Sequence, residues 1–316
     1  MLRFLLPGIL ALTAFAKEPV YEIDGRLELH GRATVSIYGV TIPLEDMTPC
    51  DTQGRFRFRR LAAATYTLAI MEPSRGEARV TVEIGPASAD SHQRVSLDLH
   101  LKDSEFTFQD AVKQQNSVSA RELAIPARAW REYEEAKKCL GRRDVAAAKN
   151  HLEKAVALAP QLSAAWNTLG TLAYQERRFA RAAECFRQAL AHAPDSYEPL
   201  VNLGGVLINL NKLEEARTFN ERAVAIRPND ALANSQLGIT YFELSRFDLA
   251  EKYLARAVEI DPLHFSHPQL LLAEIHARQN RPKAAAEDLE GFLRLHPDWP
   301  QAETRQAMIA KLRKEP

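Results

Sequence analysis

The sequence predicts a chain of two unlike parts: a small N-terminal β-sandwich, then an α-helical solenoid of five repeated helix pairs with a capping helix. Two periodicities support this fold class. Between Tyr21 and Leu101, apolar and polar residues alternate, which is the pattern of half-buried strands. Further along the chain, prolines recur at an almost constant interval and apolar residues recur at helical spacing.

The repeat is visible first in its prolines. They lie 34, 34, 34 and 35 residues apart, at Pro160, Pro194, Pro228, Pro262 and Pro297. An alanine stands twelve residues before each of them, at Ala148, Ala182, Ala216, Ala250 and Ala285. Each proline is expected to end a helix, since it lacks a backbone donor and restricts the residue before it.

One repeat is sufficient to predict the structure of all. In residues 163–196, apolar side chains recur first around Trp166 and Leu169 and again around Phe179 and Phe186, which indicates two amphipathic helices. Small residues between them allow the two backbones to approach closely. A single hairpin of this kind cannot bury its apolar face, so the repeats are predicted to stack.

The repeat is similar to the tetratricopeptide repeat. The matching positions of the second unit are Trp166, Leu169, Gly170, Ala182, Phe186, Ala189 and Pro194. The aromatic residue that usually follows the glycine is Ala173 in this unit, and the first and last units lack the Leu-Gly pair. The predicted units are 129–162, 163–196, 197–230, 231–264 and 266–299, followed by a capping helix in 300–316.

The alternating region resembles the carboxypeptidase regulatory-like domain, a transthyretin-like sandwich. The resemblance rests on the turn and strand 51–56, on Leu61 and on the strand 65–68, although Ala64 stands where that family usually has glycine. We expect this domain in residues 17–102, with a linker in residues 103–128. Its name does not imply peptidase chemistry here, because no histidine is followed by glutamate at the His-x-x-Glu spacing of a zinc site.

The first residues are expected to be a signal peptide. Arg3 precedes an apolar run that ends at Leu12, and small residues at Ala14 and Ala16 predict cleavage before Lys17. The apolar run is too short to span a bilayer. No other stretch approaches the length of about 18 uncharged apolar residues that a membrane-spanning helix needs. The predicted location is therefore outside the cytoplasm, either periplasmic or extracellular, with residues 1–16 removed.

Composition and motifs exclude several function classes. Lys plus Arg and Asp plus Glu are equal at 41 each, so no overall field attracts nucleic acid. No nucleophile elbow, zinc-protease motif, phosphate loop or dinucleotide fingerprint is present, so no enzyme and no cofactor is predicted. His264 and His267 lie three residues apart, but no cysteine or carboxylate cluster accompanies them, so no metal is expected. The three cysteines do not suggest a disulfide framework.

The resemblance to tetratricopeptide repeats implies a concave groove that binds a polypeptide of unknown identity. Carried over by position, the groove residues of the first helices are Tyr133, Lys137, Asn167, Thr171, Tyr174, Val201, Ile208, Ile239 and Phe242. Two hypotheses remain open. The chain is a non-catalytic scaffold that holds a protein in this groove, or it is a carbohydrate- or envelope-binding module in which the sandwich recognises the ligand and the repeats mediate assembly.

Overall fold

The computed structural model describes residues 20–28, 31–40, 42–103, 106, 124–296 and 299–314. The predicted signal peptide lies outside these residues, as does most of the predicted linker. The described part contains an N-terminal β region followed by a helical solenoid, which is the order of the two parts that the sequence predicts. Within it, no helix is both long and apolar enough to cross a membrane.

The β region contains two sheets among the described residues. Its strands are β1 Tyr21–Leu27, β2 Thr34–Gly39, β3 Glu45–Pro49, β4 Arg55–Leu61, β5 Ala64–Glu72, β6 Gly76–Ile84 and β7 Arg94–Leu99. One sheet has the order β4-β1-β7 and the other the order β3-β2-β5-β6. All described pairs are antiparallel except β1 with β7, which run parallel.

Alternation places the apolar residues of both sheets in one shared core. Ile23 and Phe58 come from the first sheet and Ile37, Tyr66 and Leu68 from the second, and all are at most 2% exposed. The aromatic side chains of Phe56, Phe58 and Tyr66 are buried, whereas Tyr38 is 38% exposed.

The tight turn before β4 is built by its own side chains. Asp51 accepts hydrogen bonds from the backbone N–H groups of Gln53 and Arg55 at 2.9 Å each, and Gly54 has a φ of 76°, which favours glycine. The hydrogen bond from the backbone N–H of Arg55 is the largest cause that lowers the pKa of Asp51, followed by the bond from the Arg55 side chain. The motif quoted from the sequence is thus a self-contained Asx turn.

The solenoid consists of five helical hairpins and a final helix in the described residues. Its helices are α1 Ala127–Gly141, α2 Val145–Leu158, α3 Ser163–Gln175, α4 Phe179–His192, α5 Tyr197–Asn209, α6 Leu213–Ile226, α7 Ala231–Glu243, α8 Phe247–Ile260, α9 Pro268–Arg278, α10 Pro282–Leu295 and α11 Ala302–Leu312. The second helix of every hairpin ends two residues before a periodic proline, as predicted.

The repeat period also appears in the backbone of the turns inside the hairpins. One residue in each turn has a positive φ between 56° and 61°, namely Arg143, Arg177, Asn211, Ser245 and Asn280. These positions recur at the proline interval, yet none of them is glycine. The left-handed conformation costs little at asparagine and more at the other residues, so the packing of the two helices must compensate for it.

Candidate interaction surface of the helical repeats

The predicted groove residues lie on the first helices of the first four hairpins, α1, α3, α5 and α7, and differ in exposure. Tyr174 is the most exposed at 38%, and its ring contacts Phe179 at a centroid distance of 5.6 Å. Val201 is 1% exposed and packs with Tyr197 and Leu200, so it presents no side chain at the surface. The other seven are half-buried: Tyr133, Lys137, Asn167, Thr171, Ile208, Ile239 and Phe242.

The outer face of the four-stranded sheet packs against these helices. Tyr38 and Glu45 are paired across β2 and β3 on this face, and both lie close to Tyr133. Burial, followed by the negative charge of Glu45, raises the pKa of the Tyr133 hydroxyl well above its usual range. Burial also raises the pKa of Glu45, although Lys137 opposes the change.

Two direct hydrogen bonds join the β region to the second hairpin. The side-chain amide of Gln175, at the end of α3, donates to the carbonyl oxygens of Gly39 at 3.3 Å and Ile42 at 3.0 Å. Gly39 is the last residue of β2, and Ile42 lies between β2 and β3. The hairpin of these two strands therefore rests on α1 and α3.

An ionic network forms the centre of this contact. Glu77 and Arg79 project from β6, Glu198 lies in the first turn of α5, and Arg227 and Asp230 lie between α6 and α7. Arg227 donates to Glu77 at 3.3 Å and to Glu198 at 3.0 Å, and Arg79 contacts Glu77 at 2.6 Å and Glu198 at 3.4 Å. Burial opposes the ionisation of Glu77, but Arg79 and Arg227 together hold its pKa below the usual value.

An aromatic ring supports both guanidinium groups of the network. Arg227 lies 4.0 Å and Arg79 lies 5.6 Å from the centroid of Tyr197. Tyr197 is 4% exposed. The two positive charges are therefore held between carboxylates and the face of a buried ring, which is a favourable position for a cation out of water.

The edge of β6 is covered by segments that follow second helices. The backbone N–H of Thr81 donates to the Asp261 carboxylate at 3.2 Å, and Glu83 lies 3.7 Å from Nδ1 of His296. Asp261 follows α8 directly, and His296 follows α10 directly. Because an open edge strand is a site for unwanted pairing, these contacts protect the sheet as well as anchor it.

Some of these contact residues were not predicted from the sequence. Gln175, Arg227, Asp230 and Asp261 were not among the predicted groove residues. Three of these four residues lie within two residues of a periodic proline. Their position in the repeat was therefore the only feature of the sequence that could have indicated a contact with the β region. Their partners on β6 gave no signal, because alternating charged residues on a strand normally face solvent.

Because of this ionic network, two similar arginine substitutions are expected to lower the free energy of unfolding by unequal amounts. Arg227→Met removes a 6%-exposed guanidinium side chain and leaves Glu77 and Glu198 without it, so we expect the free energy of unfolding to fall by about 2 kcal/mol. Arg222→Met removes an exposed ion pair between Arg222 on α6 and Asp195, and it is expected to cost less than about 0.5 kcal/mol. Urea unfolding followed by circular dichroism measures both. Equal costs would show that the network does not stabilise the docked arrangement.

No group of three or more histidine, cysteine or acidic side chains in the described ranges is arranged to hold a metal ion. His264 is 3% exposed and its Nδ1 lies 2.8 Å from the Ser266 hydroxyl. The His267 ring contacts Phe292 and Trp299 at 5.4 Å and 4.9 Å between centroids. Both histidines are therefore packed into the junction of the last two hairpins.

The comparisons with known proteins concern the helical part. A tetratricopeptide repeat family model matches residues 167–231 and 235–302. Tetratricopeptide repeat protein 5 of Homo sapiens is 30% identical over 184 residues, which is 51% of this chain and 41% of that protein. The chain spans 14% and 15% of the length of two other curated relatives.

Solved structures show the same fold. PilW, described as a widely conserved type IV pilus biogenesis factor, matches with a TM-score of 0.52 and 24% identity over 60% of this chain and 88% of that one. YrrB, described as a tetratricopeptide repeat protein with an unusual peptide-binding site, matches with a TM-score of 0.50 and 22% identity over 60% and 98%. The family model and these structures together support tetratricopeptide repeats in the helical part of the chain.

Proposed function

We propose that this chain is an exported, non-catalytic scaffold that holds a polypeptide partner against the first helices of its third and fourth hairpins. The observation that carries the proposal is the row formed by Ile208, Ile239 and Phe242. These apolar side chains occur on α5 and α7 and are only half-buried. A row of apolar anchors on neighbouring helices suits an extended or helical peptide.

The docked β region supports this choice of surface. Its polar contacts reach α1, the end of α3, the start of α5 and the segments after α6, α8 and α10. Tyr133 and Lys137 are therefore engaged within the chain itself, and a partner would have to compete for them. None of these described contacts involves Ile208, Ile239 or Phe242.

The proposal agrees with what tetratricopeptide repeat proteins do. Such proteins mediate protein-protein interactions, which is consistent with a scaffold or adaptor. The description of YrrB refers to a peptide-binding site in that protein. By analogy, the helical part of this chain is the part that holds the partner, and the β region sets which section of the surface stays open.

A capture experiment with matched variants tests the proposal. The chain from Lys17 to Pro316 is used as bait in an envelope extract, beside Ile208→Glu with Phe242→Glu and beside a control, Leu158→Glu with Leu249→Glu. The control residues are 38% and 39% exposed and lie on second helices. We expect a protein that the parent and the control retain and the groove variant loses, with all three chains folded by circular dichroism. Equal retention by all three would reject the groove.

Recognition of a carbohydrate by the β region has less support. Glycan binding uses exposed aromatic rings on a flat face, but Phe56, Phe58 and Tyr66 are at most 4% exposed. The remaining candidate, Tyr38, lies on the sheet face that packs against α1. The resemblance of residues 17–102 to carboxypeptidase regulatory-like domains stays part of the proposal, with two sheets and the Asp51 turn as its support.

Export is the last part of the proposal, and it rests on residues 1–16. Its test is the N-terminal sequence of the protein recovered from the periplasm or medium of cells that express the whole gene. A mature chain that starts at Lys17 is expected. Recovery from the cytoplasm with Met1 or Leu2 at the N terminus would reject the signal peptide.

A further inference from the structure

The fifth hairpin and the final helix line an open pocket of about 340 Å³. We call it the C-terminal pocket. Its walls come from α9, α10 and α11, so it lies where the final helix covers the last first helix. The lining residues are Leu270, Ala273, Glu274, Ala277, Arg278, Leu289, Arg305 and Met308.

One of these residues is a buried arginine without a counter-ion among the described residues. Arg305 is 9% exposed, and its Nε atom has no hydrogen-bond partner in the described ranges. Its guanidinium lies 5.7 Å from the Phe292 ring and 6.0 Å from the Trp299 ring, which offer only weak compensation. Burial accordingly lowers the pKa of Arg305. Arginine is rarely buried unless it is paired, so this side chain is poised for an anion.

The charges of the pocket do not cancel. Arg278 forms an ion pair with Glu274, four residues earlier on the same helix, and both side chains line the pocket. One carboxylate therefore faces two guanidinium groups, and Arg305 carries the excess positive charge. This balance is complementary to a ligand with a single negative charge.

The other residues that line the C-terminal pocket indicate which kind of group carries the negative charge of the ligand. Leu270, Leu289 and Met308 are apolar, and Ala273 and Ala277 leave room between them. Leu289 is 2% exposed, whereas Met308 at 39% lies at the rim. A guanidinium beside aliphatic side chains fits a planar carboxylate, which it can bind with two parallel hydrogen bonds, while the walls receive an apolar group.

We propose that the C-terminal pocket binds a carboxylate attached to an apolar group, with Arg305 as its counter-ion. Two sources can supply this chemistry, the end of a polypeptide chain with an apolar last side chain and a free alkyl carboxylic acid. The proposal deepens the proposed function, on which it partly rests. Arg278 joins the pocket to the row of apolar anchors, since its guanidinium lies 5.1 Å from the ring of Phe242.

Binding of small probes to the full chain tests the pocket without any partner. Hexanoate and N-acetyl-leucine are titrated by calorimetry, beside hexanol and N-acetyl-leucinamide, which lack the charge. We expect the acids to bind with Kd values of about a millimolar and at least about tenfold more tightly than their neutral counterparts. Tighter binding of N-acetyl-leucine identifies a chain end as the ligand, and tighter binding of hexanoate identifies a free acid.

Three variants assign the effect to the pocket. Arg305→Gln is expected to weaken the binding of both acids at least about tenfold, while Arg256→Gln, on the exposed side of α8, leaves it unchanged. Met308→Glu acts at the exposed rim, where it disturbs the fold little, and is expected to exclude the acids by like charge. Equal binding of acids and neutral analogues, or full binding to both pocket variants, would overturn the proposal.

The same variants separate the pocket from the scaffold. If the acids bind as described but the groove variant with Ile208→Glu and Phe242→Glu still captures the partner, the pocket stands and the scaffold proposal fails. If the acids do not bind but the groove variant loses the partner, the pocket proposal fails alone.

Discussion

Phe186→Ala is expected to lower the free energy of unfolding by about 3 to 5 kcal/mol, the largest effect of a single side chain considered for this protein. Phe186 lies on α4, is 1% exposed and packs with Leu203, Val206 and Leu207 of the next hairpin. Its removal deletes a buried aromatic surface and leaves a cavity between two hairpins, because close-packed helices relax only partly. Urea unfolding monitored by far-ultraviolet circular dichroism measures the loss.

A second substitution makes this test specific to the repeat. Gly170 faces the Phe186 ring so closely that a Cβ there would lie 2.5 Å from its nearest atom. We therefore expect Gly170→Ala to cost about 1 to 3 kcal/mol in the parent and clearly less when Phe186→Ala is already present. Tyr174→Ala, at an exposed position of the same hairpin, serves as the control and should cost about 1 kcal/mol or less. Additive costs of Gly170→Ala and Phe186→Ala would contradict the packing.

The contact between Gly170 and Phe186 is the kind of feature that the sequence predicts. Both residues occur at repeated positions, one small and one large, and the interval of 34 residues fixes which helices they occupy. The glycine recurs as Gly204 and Gly238, which face Asn220 and Leu254, so the small position is constant whereas its larger partner varies. Helix ends followed from the prolines in the same way.

Strand β3 was not predicted, for a reason that its sequence makes clear. Its five residues have no apolar alternation, and Pro49 cannot donate to a ladder. The strand exists because it pairs with β2 at the edge of a sheet, where tertiary pairing outweighs local preference. Edge strands of this composition resemble loops, so alternation alone does not find them.

The docking of the β region against the helices could not be predicted either. Its main contacts join residues far apart in the chain, such as Thr81 with Asp261 and Glu77 with Arg227. Each residue alone looks like an ordinary surface charge, and no periodicity links the two parts. The predicted groove residues gave no indication that Tyr133 and Lys137 face the β region.

The stability of the docked arrangement is expected to depend on pH through His264. Burial, assisted by the charge of His267 and opposed by that of Asp230, lowers the pKa of His264 from 6.5 to about 4. The unfolded chain therefore takes up a proton on this residue before the folded chain does. The stabilising contribution of the neutral ring is complete above about pH 6.5 and is lost as the pH falls toward about 4. The loss of unfolding free energy between these two pH values is about 3 kcal/mol.

His264→Gln isolates this contribution, because glutamine fills much of the same space and does not titrate. We expect the loss of unfolding free energy between pH 7 and pH 4 to be smaller in this variant by about 2 to 3 kcal/mol. His92→Gln, at an exposed position in the β region, controls for the removal of an imidazole. An unchanged pH dependence in His264→Gln would show that the ring is accessible to water in the folded chain.

The location of His264 determines which contact of the protein is expected to open first at low pH. Asp230, whose charge acts on this ring, also contacts Arg79 at 3.9 Å, and Asp261 holds the edge of β6 three residues before His264. A proton forced onto the buried ring therefore places a charge beside the segment that anchors the β region. If that contact opens before the helices melt, fluorescence from a probe attached to the β region will change at a higher pH than the helical circular dichroism. Coincident transitions would show that both parts unfold as one unit.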